Sequence, residues 1–260
     1  MSSKDYEYFE VGQKAARVGL DSEEDIINRI NAKGEFCNRL KKCLVDLGFS
    51  PKDEIVAYKP EVAGLKTDIF IKIDGEIGVS VKSSSETSFH QTDRRTLEHW
   101  KLFLNMPEDV FKTIKEAILR VSRNPRDKFI LEKDRDKIKN LFSKNLRSII
   151  REIFQRKEEN LKLLMVNDKR KRRVYVFNMD EAIDFLCKNA SNNVRFTDKG
   201  IVLLGDFISV QRKGGNGKHV KIPKTDWKHP GNQLQFKTSP ITFAEHAETT
   251  KALKFGVIDY

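Results

Sequence analysis

The stretch that decides the fold runs from Lys66 to Ser84 and reads Lys-Thr-Asp-Ile-Phe-Ile-Lys-Ile-Asp-Gly-Glu-Ile-Gly-Val-Ser-Val-Lys-Ser-Ser. Apolar residues recur at every second position on both sides of Asp74-Gly75. A period of two is typical of a β-strand with one buried face, and an Asp-Gly pair suits a tight turn between two strands. The stretch therefore predicts a β-hairpin.

The length of the turn decides which side chains of this hairpin share a face. A two-residue loop puts the two apolar sets on opposite faces, whereas a three-residue loop over residues 74–76 pairs Ile73 with Ile77 and Asp68 with Lys82. We favour the longer loop because it leaves Asp68, Ser80 and Lys82 together beside a buried sheet. Asp68 can then hold a divalent cation while Lys82 faces a water or a phosphate oxygen, as metal-assisted phosphodiester hydrolysis requires. The alternative is an ordinary half-solvated hairpin with one cross-strand ion pair.

The charge balance favours a polyanionic partner. The 260 residues include 49 Lys and Arg against 38 Asp and Glu, a formal net charge of +11. Nucleic acid is the simplest such partner, although an anionic membrane surface would also attract the chain. No stretch approaches the roughly 20 apolar residues of a membrane span, and the N-terminus lacks the apolar core of a signal peptide.

Cys37, Cys43 and Cys187 have no metal-binding spacing, so we expect reduced thiols in a cytoplasmic protein.

The order of patterns along the chain predicts one mixed α/β domain covering residues 1–260. Ser22 with Asp25 three residues later predicts the start of a first helix, and further helices precede and follow the hairpin. We expect residues 1–105 to form the catalytic segment, 106–200 a helical and strand elaboration, and 201–260 a DNA-recognition segment. The basic run at residues 167–173 suits either a localisation signal, a phosphate-binding edge or, more simply, a solvated hairpin loop.

Three further segments carry polar side chains suited to DNA. A glycine-rich loop after Gln211, Arg212 and Lys213 lets backbone approach a groove, but it lacks the spacing of a nucleotide-binding phosphate loop. Residues 232–237 alternate polar with apolar, which places amides and a lysine on one face of a strand. Phe89 and Gln91 lie among basic residues and suit insertion beside a base step. The alternatives are a flexible surface hairpin, an edge strand and a capping segment for the next helix.

The hairpin also resembles a known signature. Lys66-Thr67-Asp68 followed by Ser80-Val81-Lys82 is similar to the motif of the PD-(D/E)XK nucleases, and in particular of Type II restriction endonucleases of the MspI group and their GCGC-cutting HinP-type relatives. The resemblance continues in the same order through four more blocks at residues 12–30, 89–100, 211–215 and 234–237. It does not extend to residues 105–200.

This resemblance implies a restriction-endonuclease-like α/β fold with a mixed central sheet flanked by helices, and a set of catalytic residues. Asp68 and Ser80 would ligate Mg²⁺, and Lys82 would orient or help deprotonate the attacking water. Ser80 departs from the family pattern, which has a carboxylate or an amide at that position. A hydroxyl is a poorer ligand for a hard cation, so we expect another acid to complete the site, and Glu23 lies in a matched block.

The resemblance further implies hydrolysis of double-stranded DNA at a short palindromic site of four G·C-rich base pairs such as GCGC or CCGG. It implies a monomer or homodimer that needs no nucleotide cofactor and works with a DNA methyltransferase of the same specificity. A repair or mismatch nuclease and a non-catalytic DNA-binding protein with a decayed site are the alternatives. The expected DNA contacts are Phe89, Gln91, Arg94, Gln211, Arg212, Lys213, Gln235 and Lys237.

Overall fold

The structure, a computed structural model, describes residues 20–52, 54–215 and 220–260. The described chain divides into two compact units whose segments alternate along the sequence. Unit A combines residues 20–88 with Ile150–Leu186 and Ser239–Tyr260, and unit B combines Phe89–Ile149 with Cys187–Thr238. Each unit contains one β-sheet. The single domain expected over residues 1–260 stays a prediction.

The elements follow one another in a mixed α/β order. The strands are β1 (Val56–Tyr58), β2 (Ile69–Lys72), β3 (Glu76–Ser84), β4 (His90–Arg95), β5 (Leu161–Asp168), β6 (Arg173–Asn178), β7 (Val194–Phe196), β8 (Val202–Leu204), β9 (Ile208–Arg212), β10 (Leu234–Thr238) and β11 (Phe255–Asp259). The helices are α1 (20–31 of the described residues), α2 (Glu35–Asp46), α3 (Leu97–Phe103), α4 (Glu108–Arg123), α5 (Arg135–Lys144), α6 (Leu146–Phe154), α7 (Met179–Ala190) and α8 (Pro240–Thr250). Residues 20 and 21 are already helical, so the prediction that α1 starts at Ser22 is wrong.

The sheet of unit A has six strands in the order β1-β2-β3-β5-β6-β11. β3 and β5 run parallel, and the other neighbours are antiparallel. Strand residues alternate between the two faces, and both faces are covered by helices. On one face, α1 and α2 contribute Ile26, Ile30, Leu40 and Leu44 to the core that contains Ile69. This arrangement confirms the predicted mixed central sheet flanked by helices.

The opposite face of the same sheet packs against the last two helices. The Phe177 ring of β6 lies 4.9 Å from the Phe243 ring of α8, centroid to centroid. The Phe185 ring of α7 lies 5.7 Å from the same Phe243 ring. Because both faces of the sheet are covered, the strands that carry the hairpin side chains are held from two sides.

The hairpin forms, but its register differs from the predicted one. Ile71 pairs with Ile77 and Ile69 with Val79, so the loop consists of residues 73–75 and not 74–76. The predicted pairings of Ile73 with Ile77 and of Asp68 with Lys82 are therefore wrong. Gly75 closes the loop at φ 156°, a conformation that favours glycine. The error amounts to two residues, so every side chain keeps the face that was expected.

Unit B contains an antiparallel five-stranded sheet in the order β4-β10-β9-β8-β7. Its core includes Phe236 on β10, the strand between β4 and β9. The Trp100 ring of α3 lies 4.7 Å from the Phe236 ring, and the Phe142 ring of α5 lies 6.4 Å from it. Phe236 thus identifies the face of β10 that packs on these helices, and its neighbours Gln235 and Lys237 belong to the other face.

Candidate functional site

Asp68 lies just before β2 and accepts three hydrogen bonds through a single oxygen. Its Oδ2 atom accepts from Ser80 Oγ at 3.0 Å, from the Val81 backbone N–H at 2.6 Å and from Lys82 Nζ at 3.2 Å. The Asp68 backbone N–H donates to the Val79 carbonyl at 2.9 Å. None of the described residues donates to Oδ1 of the same carboxylate. One oxygen therefore anchors Asp68 to β3, and the other remains available to a ligand.

Ser80 links the acid to the lysine. Its side chain is buried at 2% exposure, and its hydroxyl accepts from Lys82 Nζ at 2.7 Å while donating to Asp68. Lys82 Nζ donates its third hydrogen bond to the Val81 carbonyl at 3.2 Å. Asp68 and Lys82 themselves are about three-quarters buried, with 24% and 25% of their side chains exposed. The structure thus brings together the three hairpin residues expected from the sequence, although the strand register differs.

Glu23 of α1 lies close enough to this group to interact with its charges. Burial raises the pKa of the Glu23 carboxyl, and the negative charge of Asp68 raises it further, while Lys59 and Lys82 lower it. No donor among the described residues hydrogen-bonds to this half-buried carboxylate. A half-buried carboxylate that faces a like charge without a donor is stabilised by a cation.

The donor set is of the type that a hard divalent cation uses. Asp68 and Glu23 offer carboxylate oxygens and Ser80 a hydroxyl, and Mg²⁺ commonly takes one or two carboxylates with waters in its other positions. Among the described residues, no group of three or more His, Cys, Asp or Glu side chains could hold a metal ion. These side chains therefore fit a divalent cation that is held by two acids, with waters in its remaining coordination positions.

Two residues outside the predicted set position the segment that leads into Asp68 and β2. The Glu158 carboxylate accepts from the backbone N–H groups of Lys66 at 2.5 Å and Thr67 at 2.8 Å. A Cβ atom at Gly78 would lie 2.5 Å from Thr67 Oγ1, so only glycine allows this close approach. Sequence analysis missed Glu158 because nothing in residues 105–200 resembled the family. The isolated glycine in β3 was a signal of close backbone approach.

In unit B, the sides of β4, β10 and β9 that lie opposite Phe236 form a second group of polar side chains. Gln235 pairs with Arg94 on one side and Gln211 on the other, and Lys237 pairs with Gln91 and Ser209. The Lys213 backbone N–H donates to the Gln233 carbonyl at 2.8 Å, which continues the pattern by one more step. Residues opposite one another on neighbouring strands share a face. We call this group the polar face, and it consists of Gln91, Arg94, Ser209, Gln211, Lys213, Gln235 and Lys237.

The polar face is cationic, and within the described part of the chain no acid neutralises it. Burial and the nearby charge of Arg94 lower the pKa of the Lys213 amine. Arg94, Lys213 and Lys237 form no ion pair with any described residue. Asp93 is the one carboxylate within the three strands, and it pairs with Phe236 on the buried side. Such a surface favours an anionic ligand.

Two expected DNA contacts lie elsewhere. Arg212 pairs with Leu234, away from the polar face, and is 9% exposed. Its Nε donates to the Asn232 side-chain oxygen at 2.8 Å, and no described residue pairs with its Nη2. Burial lowers the pKa of the guanidinium. Phe89 precedes β4 and is 37% exposed. Arg212 is thus separated from Gln211 and Lys213 by strand alternation.

The basic run at residues 167–173 forms the hairpin connection between β5 and β6, and acids of unit A neutralise much of its charge. Arg170 contacts buried Asp168 at 2.8 Å and Glu245 of α8 at 3.0 Å. Lys171 contacts the same Glu245 at 3.0 Å, and Arg173 contacts Asp259 at 2.6 Å. These pairs favour the hairpin-loop interpretation over a phosphate-binding edge.

Among the described residues, every helix is too short or too polar to cross a lipid bilayer.

Comparison with solved structures reveals a similar architecture over most of the chain. Restriction endonuclease MspI, solved in complex with its cognate DNA, superposes with a TM-score of 0.59 at 14% sequence identity. The match covers 88% of this chain and 92% of the MspI chain. This chain has a restriction-endonuclease-like fold. No family model and no curated protein sequence matches it, so the likeness resides in the arrangement of the elements.

Proposed function

We propose that this protein is a Mg²⁺-dependent Type II restriction endonuclease of the PD-(D/E)XK type. The observation that carries the proposal is the hydrogen-bonded group of Asp68, Ser80 and Lys82 on the hairpin of a restriction-endonuclease-like fold. Its substrate would be double-stranded DNA with a short palindromic site of four G·C-rich base pairs, such as GCGC or CCGG. MspI was solved with its cognate DNA, which supports the same class of substrate for this chain.

The proposed roles follow from the contacts of each side chain. Asp68 and Glu23 would hold the cation, and Ser80 would reach it through a water. When bound, Mg²⁺ supplies a more acidic bound water and neutralises charge that develops on the phosphate. Bonds to Asp68, Ser80 and the Val81 carbonyl hold the Lys82 ammonium in place, and it would exchange one of them to donate to the attacking water or to a phosphate oxygen.

The partners follow from the same proposal. A site-specific nuclease in the cytoplasm endangers the DNA of its own cell, so a DNA methyltransferase of the same specificity would accompany it. The chain would act as a monomer or homodimer without a nucleotide cofactor. The formal charge of +11 and the acid-free polar face support binding to the DNA backbone.

The decisive experiment compares Asp68→Ala with a matched variant on the same hairpin. Supercoiled plasmid and phage DNA are incubated with each protein and Mg²⁺, and the fragment ends are sequenced. Asp68→Ala should abolish cleavage and retain most DNA binding. Asp74→Ala removes an exposed turn carboxylate that pairs with Lys52 and should cleave like the wild type. Mg²⁺-dependent cutting by Asp68→Ala would overturn the active-site assignment, and nicks without discrete fragments would indicate a repair or mismatch nuclease.

One observation favours a second candidate, a non-catalytic DNA-binding protein. Ser80 replaces the usual carboxylate or amide, and the described residues contain no cluster of three potential metal ligands. This candidate predicts salt-sensitive binding with no hydrolysis in Mg²⁺ or Mn²⁺ at any protein concentration. The plasmid experiment therefore separates the two candidates directly.

A further inference from the structure

Arg212, the last residue of β9, carries a buried guanidinium with few partners among the described residues. Arg212 is 9% exposed, and burial lowers the pKa of its guanidinium. No described carboxylate pairs with it, and its buried Nη2 atom has no acceptor in the described part of the chain. A buried charge without partners is unfavourable, so it calls for a ligand that completes its hydrogen bonds.

The Nε atom of this guanidinium has a structural partner. It donates to the side-chain oxygen of Asn232 at 2.8 Å. Asn232 is 3% exposed, and its amide nitrogen donates to the carbonyl of Lys224 at 3.0 Å and to the carbonyl of Asp226 at 2.6 Å. The bond from Nε therefore helps to hold the turn at residues 224–226. Among the described residues, nothing occupies the two Nη atoms in the same way.

Two glycines connect the Nη end of Arg212 to His229. A Cβ atom at Gly214 would lie 3.6 Å from Arg212 Nη1. A Cβ atom at Gly231 would lie 2.9 Å from the Gly214 carbonyl oxygen and 2.8 Å from His229 Nδ1, so a side chain has no room there. The Gly214 N–H donates to the Gly231 carbonyl at 3.0 Å. The guanidinium, the two glycines and the imidazole are therefore consecutive neighbours.

His229 offers a further hydrogen-bond donor. It is 5% exposed, and its Nδ1 accepts from the Gly231 N–H at 2.9 Å. Burial lowers the pKa of the imidazole, and the positive charge of Arg212 lowers it further. The neutral ring therefore carries its proton on Nε2. No described residue accepts a hydrogen bond from this Nε2.

The surroundings of these two donors are positively charged. After burial and Arg212, the charges of Lys224 and Lys213 also lower the pKa of His229, whereas the charge of Asp226 raises it. Asp226 is exposed, and one of its carboxylate oxygens accepts from the Lys228 backbone N–H at 2.9 Å. A guanidinium and an imidazole N–H beside two lysines suit a phosphate group, because its several oxygens accept charge-assisted hydrogen bonds.

We propose that Arg212 and His229 form a phosphate-binding site, in which the Nη atoms of Arg212 and the Nε2 atom of His229 donate to phosphate oxygens. Arg212 pairs with Leu234 on the side of β9 opposite to Gln211, so this site is separate from the polar face. Inorganic phosphate and the phosphodiester of DNA present the same oxygens to it. The site does not depend on the proposed nuclease activity.

Thermal melting and calorimetric titration of the full chain with inorganic phosphate test the site. A ligand that binds the folded state raises the melting temperature, so the wild type should melt higher in phosphate than in chloride at equal ionic strength. Arg212→Gln places an amide nitrogen where Arg212 has Nε, which keeps a donor to Asn232 and removes both Nη atoms. This variant should lose the increase in melting temperature and bind phosphate about tenfold more weakly.

A second variant and a control complete the comparison. His229→Asn keeps an acceptor where His229 has Nδ1 and removes Nε2, so it should also weaken phosphate binding, and it decides the matter if Arg212→Gln does not fold. Lys139→Gln removes an equal charge from an exposed position of α5 and should keep the full increase in melting temperature. This control separates binding from the general stabilisation that phosphate gives as a salt.

Duplex DNA identifies the source of the phosphate group. If the group belongs to DNA, Arg212→Gln should weaken binding to every sequence and lower the slope of log affinity against log salt by about one. If the group is free phosphate, the affinity for duplex should stay unchanged while phosphate binding is lost. Folded Arg212→Gln and His229→Asn proteins that bind both phosphate and DNA like the wild type overturn the site. A wild type that binds phosphate without cutting plasmid overturns the proposed nuclease alone.

Discussion

In unit A, the polar side chains of the hairpin are bonded to one another, with three donors on one oxygen of Asp68 and all three hydrogens of Lys82 used. In unit B, the cations of the polar face have no acid partner among the described residues, and a side-chain hydrogen bond joins Gln235 to Gln91. A group that is bonded internally is held in one geometry, which suits chemistry. A group left without counter-charge suits binding of an anion. Under the proposed function, the sheet of unit A would carry the cleavage chemistry and the sheet of unit B would contact the DNA.

Lys82→Met would break the hairpin group most severely. It removes the ammonium that contacts Asp68 and Ser80 while keeping most of the apolar stem. We expect the cleavage rate to fall about a thousandfold or more at unchanged DNA affinity. Single-turnover cleavage and a binding titration measure the two quantities. Lys72→Met on the neighbouring strand β2 is the control, and an equal loss in that variant would contradict the assignment of Lys82.

Glu23→Gln tests whether the hairpin group includes an acid from α1. It removes the charge that interacts with Asp68 and Lys82 but keeps the shape of the side chain. The Mg²⁺ concentration for half-maximal cleavage should rise about tenfold, because one carboxylate ligand becomes a neutral amide. Isothermal titration with the cation provides a readout independent of activity. Glu24→Gln changes the adjacent exposed acid, and if it has the same effect, Glu23 has no special role.

Lys213→Gln would alter unit B and leave unit A intact. Lys213 contributes an uncompensated charge beside Arg94, so its loss should weaken DNA binding severalfold and lower the slope of log affinity against log salt by about one. Fluorescence anisotropy at a series of salt concentrations measures this slope. An unchanged slope would exclude Lys213 from the phosphate contacts. The cleavage rate of DNA that is already bound should stay the same.

The smallest expected effect concerns acid stability of unit A. Burial opposes ionisation of Asp168, but hydrogen bonds from the Arg170 side chain and backbone outweigh it and lower the pKa of the carboxyl. A lowered pKa in the folded state gives stability that is present above about pH 4, the ordinary pKa of aspartate, and is lost as the pH falls through the folded value. We expect about 1 kcal/mol, since Arg170 is partly exposed. Urea unfolding across this pH range should show the loss in the wild type and not in Asp168→Asn.

Local patterns were enough to predict several elements. The alternation around Asp74-Gly75 predicted β2 and β3, because strand periodicity is a property of the segment itself. The hairpin register was wrong because the conformation of Gly75 decides which residues form the loop. The fold class was predicted from motifs in one order and is confirmed by the likeness to MspI.

The sequence by itself determined which face each hairpin residue occupies, and therefore that Asp68, Ser80 and Lys82 lie together, because side-chain alternation survives a two-residue change of register. It also determined the net charge that favours DNA. Only the tertiary structure decided the contacts between distant segments. Glu158 anchors the segment before Asp68, Glu23 interacts with Asp68, Gln235 bonds to Gln91, and Arg212 lies away from the polar face. These relations depend on which strands become neighbours, and no local pattern encodes that.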